Sequence, residues 1–274
     1  MKLDVALIQT RTPDTQAAAW AELEPLIREA AADGARLILT PEGSNLLQRD
    51  RTKLFAALRT PEDDPVVRGA GALARELGVH LLLGSALVRE AGAERASNLS
   101  MLFDDTGKEV ARYAKMHLFD VDLPSGERVR ESEAFAPGDR AVTAQTLWGG
   151  LGMTVCYDLR FPQLYRQLAQ AGARMLAVPA AFTRPTGEAH WEVLLRARAI
   201  ETGSWVLAPA QGGVHADGRG TWGRSMIVDP WGAITARAEG DDPGIVKATI
   251  DLEPVDRARA AIPSLRHDRE FAGP

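Results

Sequence analysis

The sequence predicts an α/β protein, a single domain over residues 1–274 with mixed β-sheets covered by helices. Three observations predict it. Short apolar runs alternate with longer stretches rich in Ala, Leu and Glu, the βαβα rhythm of this class. Gly and Pro stand at the joints between them. The same rhythm resumes after residue 150, with no linker, low-complexity tract or fixed-period repeat in between. A chain of 274 residues can bury a sizeable core.

The elements follow in order. Residues 3–9 read as a strand, an apolar run carrying Asp4, which is not the pattern of a signal peptide. Residues 14–32 read as a helix ending before Asp33-Gly34, and 36–40 as a short buried strand stopped by Pro41. Residues 65–77 form a second helix ended by Gly78, and 79–83 a further strand. Strands 98–103 and 109–114 flank the turn signal Asp104-Asp105-Thr106-Gly107. From 116 to about 140 the chain is polar and aperiodic, and reads as a functional loop. Then come strand 151–155, helix 162–171, strand 174–178, helix 188–202 and strand 204–208. A strand series closes the chain at 224–228, 233–238 and 244–250, with Pro230-Trp231-Gly232 as a turn.

Composition excludes several functions. Apolar residues at 45% and charged residues at 25% are ordinary for a globular protein. A net charge of −5 leaves no basic footprint for nucleic acid. No apolar run approaches the length of a membrane span. A lone cysteine makes no intrachain disulfide, so the expected compartment is the cytoplasm.

That cysteine, Cys156, lies where strand 151–155 ends and Pro162 is about to open a helix. Helix N–H groups at such a corner favour a thiolate and bind an oxyanion. A free cysteine is equally a small buried hydrophobe, and the local sequence does not choose between the two. Two more ionisable residues follow strand ends: Glu42 after 36–40 and Lys115 after 109–114. In α/β sheets, sites gather at strand C-termini. A nucleophilic thiol needs a base, which a partly desolvated carboxylate supplies, while a fixed ammonium favours the thiolate and steadies the oxyanion. Alone, Glu42 reads as a solvated carboxylate or a helix N-terminal acid and Lys115 as a solvated head; the three together raise the possibility of a site.

Three segments carry a resemblance: Thr40-Pro41-Glu42; the run from Tyr113 and Lys115 through His117 to Pro124; and Cys156-Tyr157-Asp158-Leu159-Arg160-Phe161-Pro162. They resemble the signatures of the nitrilase superfamily of carbon–nitrogen hydrolases, in its Glu, Lys, Cys order. Glu131-Ser132, Ala136-Pro137-Gly138-Asp139, residues 189–202 and residues 223–232 extend the match over nearly the whole chain. The resemblance is closest to the branch of amidases acting on deaminated glutathione, with ω-amidases next; the helix 189–202 favours the former.

The resemblance implies a four-layer α-β-β-α sandwich, and a homodimer. It implies a cysteine amidase releasing an acid and ammonia from a small carboxylated amide through a thioester, without metal or organic cofactor. Glu42 would be the base and acid, Cys156 the nucleophile, Lys115 the oxyanion residue and Glu131 its orienting partner. The Tyr157 N–H would be the backbone oxyanion donor. Arg160 would hold the substrate carboxylate through its bidentate fork, with Phe182 and Thr186 lining the pocket. Arg184 and the loop 211–218 depart from the family pattern. The alternatives are ω-amidase action on 2-oxoglutaramate or 2-oxosuccinamate, and a non-catalytic binding protein on the same fold.

Other signals carry less. Gly218, Gly220 and Gly223 fit a dinucleotide fingerprint in letters, but a strand follows, so residues 218–223 read as a hairpin or surface loop. His80, His117, His190, His215 and His267 lack metal-ligand spacing. His190, with Trp191 and Glu192, reads as helix packing, and residues 257–270 as a solvated face or an oligomer contact.

Overall fold

Strand β1 (Lys2–Gln9) turns Leu3, Val5 and Leu7 to one face and Ala6 and Ile8 to the other, so both faces of its sheet are covered. The structure is a computed structural model that describes residues 1–122, 126 and 128–273. Helix α1 (Gln16–Ala32) is capped by Thr15, whose hydroxyl accepts from Ala18 N at 3.4 Å. Its buried stripe is Ala19, Leu23, Ile27 and Ala30. After β2 (Leu37–Leu39) come α2 (Arg51–Ala57) and α3 (Pro65–Leu77). Asp64 caps α3, Pro65 fills its first turn, and Gly78 ends it in the left-handed region at φ 64°. Strands β3 (His80–Val88), β4 (Ser97–Phe103) and β5 (Glu109–Ala114) complete the first half.

A short hairpin, β6 (Asp120–Asp122) with β7 (Arg128–Arg130), precedes a 3-10 turn over Glu131–Glu133. Strands β8 (Val142–Thr146) and β9 (Gly149–Met153) lead through a second 3-10 turn, Cys156–Arg160, to α4 (Pro162–Gln170). Next are β10 (Ala173–Ala177), α5 (Arg184–Thr202) and β11 (Trp205–Ala208). The hairpin β12 (Gly212–Val214) with β13 (Gly220–Trp222) is followed by β14 (Met226–Val228) and β15 (Ile234–Arg237). Strand β16 (Gly244–Asp251) returns to pair with β1, and α6 (Glu253–Ala261) follows it.

The strands form two six-stranded sheets, ordered β16-β1-β2-β3-β4-β5 and β15-β14-β11-β10-β9-β8. Each has a parallel centre, β1-β2-β3 and β9-β10-β11, with antiparallel flanks. One apolar cluster joins Leu3, Val5, Leu7, Leu37, Leu39 and Leu82 of the first sheet to Leu151, Met153, Met175 and Leu207 of the second, so the sheets pack face to face. A second cluster joins the outer face of the first sheet to α1 and α3. Leu164, Leu168, Trp191 and Leu195 of α4 and α5 cover the second sheet. The layers are therefore α-β-β-α, as expected.

Several boundaries differ. Helix α5 starts at Arg184 rather than 188, because Pro185 suits a first turn that needs no N–H. Strand β3 runs past Gly84 to Val88 through an irregularity between Leu83 and Ala86. The seven-residue α2 had no clear signal. Residues 116–140 are not loop throughout but carry β6, β7 and a 3-10 turn. Leu123 and Pro124, the end of the lysine segment, lie outside the described residues, as do Ser125, Glu127 and Pro274. His190 is not a packing residue: it is exposed, and Trp191 beside it is the buried one. The tail is partly anchored, since Arg259 donates to the carbonyls of Ala173 and Thr202.

Candidate active site

Parallel strands deliver two of the three candidate side chains. The chain leaves β2 through Thr40-Pro41-Glu42, and this turn is pressed onto β3. A Cβ on Gly84 would stand 1.8 Å from the Thr40 carbonyl oxygen and 2.7 Å from that of Pro41, so only glycine lets the turn sit there. Thr40 Oγ1 accepts from Gly84 N at 3.0 Å and Gly43 N donates to Ser85 Oγ at 2.9 Å, which fixes the turn. Cys156 lies past the end of β9, beyond Thr154 and Val155, at φ 52°. That left-handed conformation is unusual for a residue with a Cβ and costs about 1–3 kcal/mol. Cys156 N donates to Pro179 O at 2.8 Å, which helps hold it.

Lys115 follows the edge strand β5, its N–H donating to Asn98 O at 3.0 Å. Its side chain is buried between two carboxylates. Nζ donates to Glu42 Oε1 at 2.9 Å and to Glu131 Oε2 at 2.8 Å. Glu131, in the turn after β7, also accepts from Phe119 N at 2.6 Å. Glu42 Oε1 accepts from Asn98 Nδ2 at 3.0 Å, and Oε2 from Ala181 N at 3.0 Å. The Cys156 thiol feels the same carboxylate, which acts on its ionisation. Glu42, Lys115 and Cys156 are 6%, 2% and 8% exposed, so the structure brings the three predicted residues, and Glu131, into one buried cluster.

The charges settle accordingly. Burial pushes the Glu42 carboxyl up, but the Lys115 charge, with hydrogen bonds from Cys156, Lys115 and Asn98, outweighs it and holds Glu42 below its ordinary 4.5. Burial works against the Lys115 ammonium, yet Glu131 and Glu42 raise it well above its usual range. For Cys156, burial and then the Glu42 charge push the thiol well above 9.0, with Lys115 opposing. The resting cluster is thus carboxylate, ammonium and neutral thiol. Lys115 favours the thiolate, but burial and the Glu42 anion outweigh it in the resting site. Such a cluster can pass the thiol proton directly to Glu42 at the moment of attack.

Asp158 joins the cysteine turn to the lysine strand, a role the sequence did not suggest. Fully buried, it accepts from Val155 N at 2.8 Å, Tyr113 Oη at 2.7 Å and His117 N at 3.1 Å, and lies 2.6 Å from His117 Nδ1. His117 also stacks on Phe161, with centroids 3.6 Å apart. His117 therefore braces the site.

The cluster lies in a cavity of about 350 Å³, which Tyr157, Arg160, Phe182 and Thr186 also line. Arg160 stands over the rings of Phe182 and Tyr157, at 5.6 and 6.0 Å, and Nη2 lies 3.2 Å from His190 Nδ1. Five further arginines line it: Arg49, Arg51, Arg128, Arg130 and Arg219. Among the described residues the acidic ones of the lining are Glu42, Glu131 and Glu133, fewer than its six arginines and Lys115, so a chain of net charge −5 holds a cavity whose described lining is cationic. Arg51 lies over the Phe55 ring at 5.4 Å and has no carboxylate partner among the described residues. Arg219 is 3.7 Å from Asp217 Oδ2, beyond hydrogen-bond reach. The deviant Arg184 is not part of the lining; it pairs with Asp241 at 2.5 Å. Sequence reading missed these arginines and Asn98, since charges in polar stretches read as solvated.

Comparisons with known proteins agree with this geometry. The carbon–nitrogen hydrolase family model matches residues 4–260. Deaminated glutathione amidase from Yersinia enterocolitica is 40% identical over 268 residues, 97% of this chain and 93% of that protein. The Homo sapiens protein of the same name is 42% identical over 270 residues, 97% of this chain and 82% of that one. Among solved structures, the C. elegans NitFhit protein superposes with a TM-score of 0.91 at 32% identity; the match covers 98% of this chain but 65% of that one. An amidase from Nesterenkonia sp. AN1, solved with acrylamide added to its active-site cysteine, gives a TM-score of 0.78 at 26% identity, covering 95% of this chain and 98% of that one.

Proposed function

The chain belongs to the carbon–nitrogen hydrolase family of the nitrilase superfamily, and we propose that it cleaves the amide of deaminated glutathione through a thioester on Cys156. The observation that carries this reading is the buried cluster itself: Lys115 bridging Glu42 and Glu131 beside a neutral thiol on the cavity wall.

Glu42 takes the thiol proton as Cys156 attacks the carbonyl carbon. Lys115 and the Tyr157 N–H hold the resulting oxyanion. Glu42 then protonates the leaving nitrogen, the C–N bond breaks, and a thioester remains. Water attacks the thioester, giving its proton to Glu42, which returns it to the departing sulfur. Arg160 holds the carboxylate of the acyl half throughout.

The leaving group corrects one expectation. In deaminated glutathione the scissile amide is secondary, so the amine released is cysteinylglycine; ammonia leaves only from primary amides such as 2-oxoglutaramate. Both substrates give the same 2-oxoglutaryl thioester. What separates the two readings is the amine side of the cavity. The arginines beyond Arg160 support the dipeptide, because they offer a second carboxylate a cationic wall that ammonia would not use. The test is kcat/KM for cysteinylglycine release from deaminated glutathione against ammonia release from 2-oxoglutaramate. A higher value for the latter moves the assignment to ω-amidase, and no turnover of either ends the amidase reading.

A homodimer belongs to the same proposal. Val193 and Ile200, seven apart on α5, are 67% and 56% exposed, and Trp231 nearby is 62% exposed, an apolar surface suited to a second copy. Val193→Glu with Ile200→Glu should convert a sedimenting dimer to monomer; a monomer before substitution would refute it.

A further inference from the structure

One polar atom in the cluster has no assigned task. Asn98 begins the run of inward residues on β4 and is 3% exposed. Its orientation is fixed by chemistry: Glu42 is an acceptor, so the side-chain atom 3.0 Å from Glu42 Oε1 is the donor Nδ2. The other branch, Oδ1, is buried and has no hydrogen-bond partner among the described residues. Asn98 also lines the catalytic cavity. A buried acceptor left without a donor is destabilising, and such groups in native sites point to a partner that arrives with the ligand.

We propose that Asn98 Oδ1 accepts the N–H of the scissile amide. This rests on the amidase reading above and adds to it a residue that recognises the leaving nitrogen. The geometry selects the donor. Glu42 must hand its proton to that nitrogen, so the nitrogen lies beside Glu42, and Asn98 holds Glu42 through Nδ2 while the unpaired Oδ1 is the other branch of the same side-chain amide. The substrate atom that both adjoins the nitrogen and can donate is its own N–H. The contact has a stereochemical consequence. An amide nitrogen is planar; once the thiol adds, it becomes pyramidal with a lone pair of defined direction. Pinning one N–H on Asn98 aims that lone pair at Glu42, where it must receive the proton before the C–N bond breaks. Backbone anchoring adds rigidity, since the Asn98 carbonyl accepts from Lys115 N and so couples the leaving-group contact to the ammonium on the other side of Glu42.

The site would then prefer amides over otherwise identical carbonyl compounds lacking N–H, because those leave Oδ1 unpaired. Two experiments test this. In Cys156→Ala protein, which binds without turnover, 2-oxoglutaramate should bind at least about tenfold more tightly than 2,5-dioxohexanoate, in which a methyl replaces the amino group. Equal binding overturns the proposal. In the protein with its thiol, Asn98→Ala should lower kcat/KM for 2-oxoglutaramate by about tenfold more than for the 5-methyl ester of 2-oxoglutarate. If amide and ester fall together, Asn98 only places Glu42 and the proposal is wrong. The binding comparison needs no Asn98 variant to fold. Failure of the unaltered protein on both amide and ester would instead refute the amidase reading, so the two failures are distinguishable.

Discussion

The floor and the rim of the cavity are built in opposite ways. On the floor, Glu42, Lys115 and Cys156 stand next to strand ends, almost fully buried, with the Glu42 and Lys115 side chains held by several short hydrogen bonds. At the rim, Arg51, Arg128 and Arg219 lie on a short helix and two hairpins; Arg128 pairs with Asp122 at 2.9 Å, whereas Arg51 has no carboxylate partner among the described residues and Arg219 comes only within 3.7 Å of Asp217. The floor is complete without ligand apart from one acceptor, whereas the rim has charge in hand. On the proposed reading, the difference separates chemistry from selectivity: the floor would define the bond broken and the rim which amine leaves.

Substitutions can break this contrast, the largest effects coming from the floor. Cys156→Ala should lower turnover by at least about 10⁴-fold and abolish the acyl adduct seen by mass spectrometry, since the nucleophile has no substitute. Retained turnover would move the chemistry elsewhere. Lys115→Met should destabilise the fold by roughly 3–5 kcal/mol, read from the urea midpoint, because it leaves Glu42 and Glu131 buried without their cation. A change within about 1 kcal/mol would mean that the cluster is wetter than described.

Acid should act through the same pair. The folded-state value of Glu42 lies below its ordinary 4.5, so its stabilising contribution is fully present above 4.5 and is lost as pH falls through the lowered value. The base is lost on the same descent, so kcat/KM should hold down through pH 4.5 and start to fall only below it, steepening toward tenfold per unit once Glu42 is mostly protonated. An acid limb already present at pH 6 would contradict a Glu42 stabilised by Lys115.

Rim substitutions are milder. Arg51→Ala with Arg219→Ala should reduce kcat/KM about fivefold for deaminated glutathione, with a weaker salt dependence, and leave 2-oxoglutaramate within about twofold. Equal losses on both substrates would show that these arginines serve the acyl half and dissolve the division between floor and rim.

The same division governs what the sequence makes legible. Glu42, Lys115 and Cys156 each follow a strand end, a position that can be read locally, whereas their roles, and Glu131 altogether, are legible only through the family resemblance; α3 between Asp64 and Gly78 is read to the residue. Asn98 and Asp158 cannot be read locally, because their importance lies in partners distant in the chain: Asn98 meets Glu42 across 56 residues and Asp158 meets Tyr113 across 45. A polar residue at the head of an otherwise apolar strand was the only hint for Asn98. The rim arginines look solvated in sequence, since nothing local says that a helix and two hairpins converge on one opening. The thiol illustrates a further limit: its position is local, but its protonation depends on how dry the cavity is and on an anion brought from another strand.

The lowered value of Glu42 has a consequence for product release. On the proposed mechanism, hydrolysis ends with a new carboxylate where the amide carbonyl had been, when Glu42 has returned its proton to sulfur and is an anion again, held so by Lys115. Product and base then repel each other across the thiol, so the acid leaves readily once it ionises and binds back only weakly, while the equilibrium between amide and acid stays that of the reaction in water. The residue that starts the cleavage would thereby also clear the site for the next substrate.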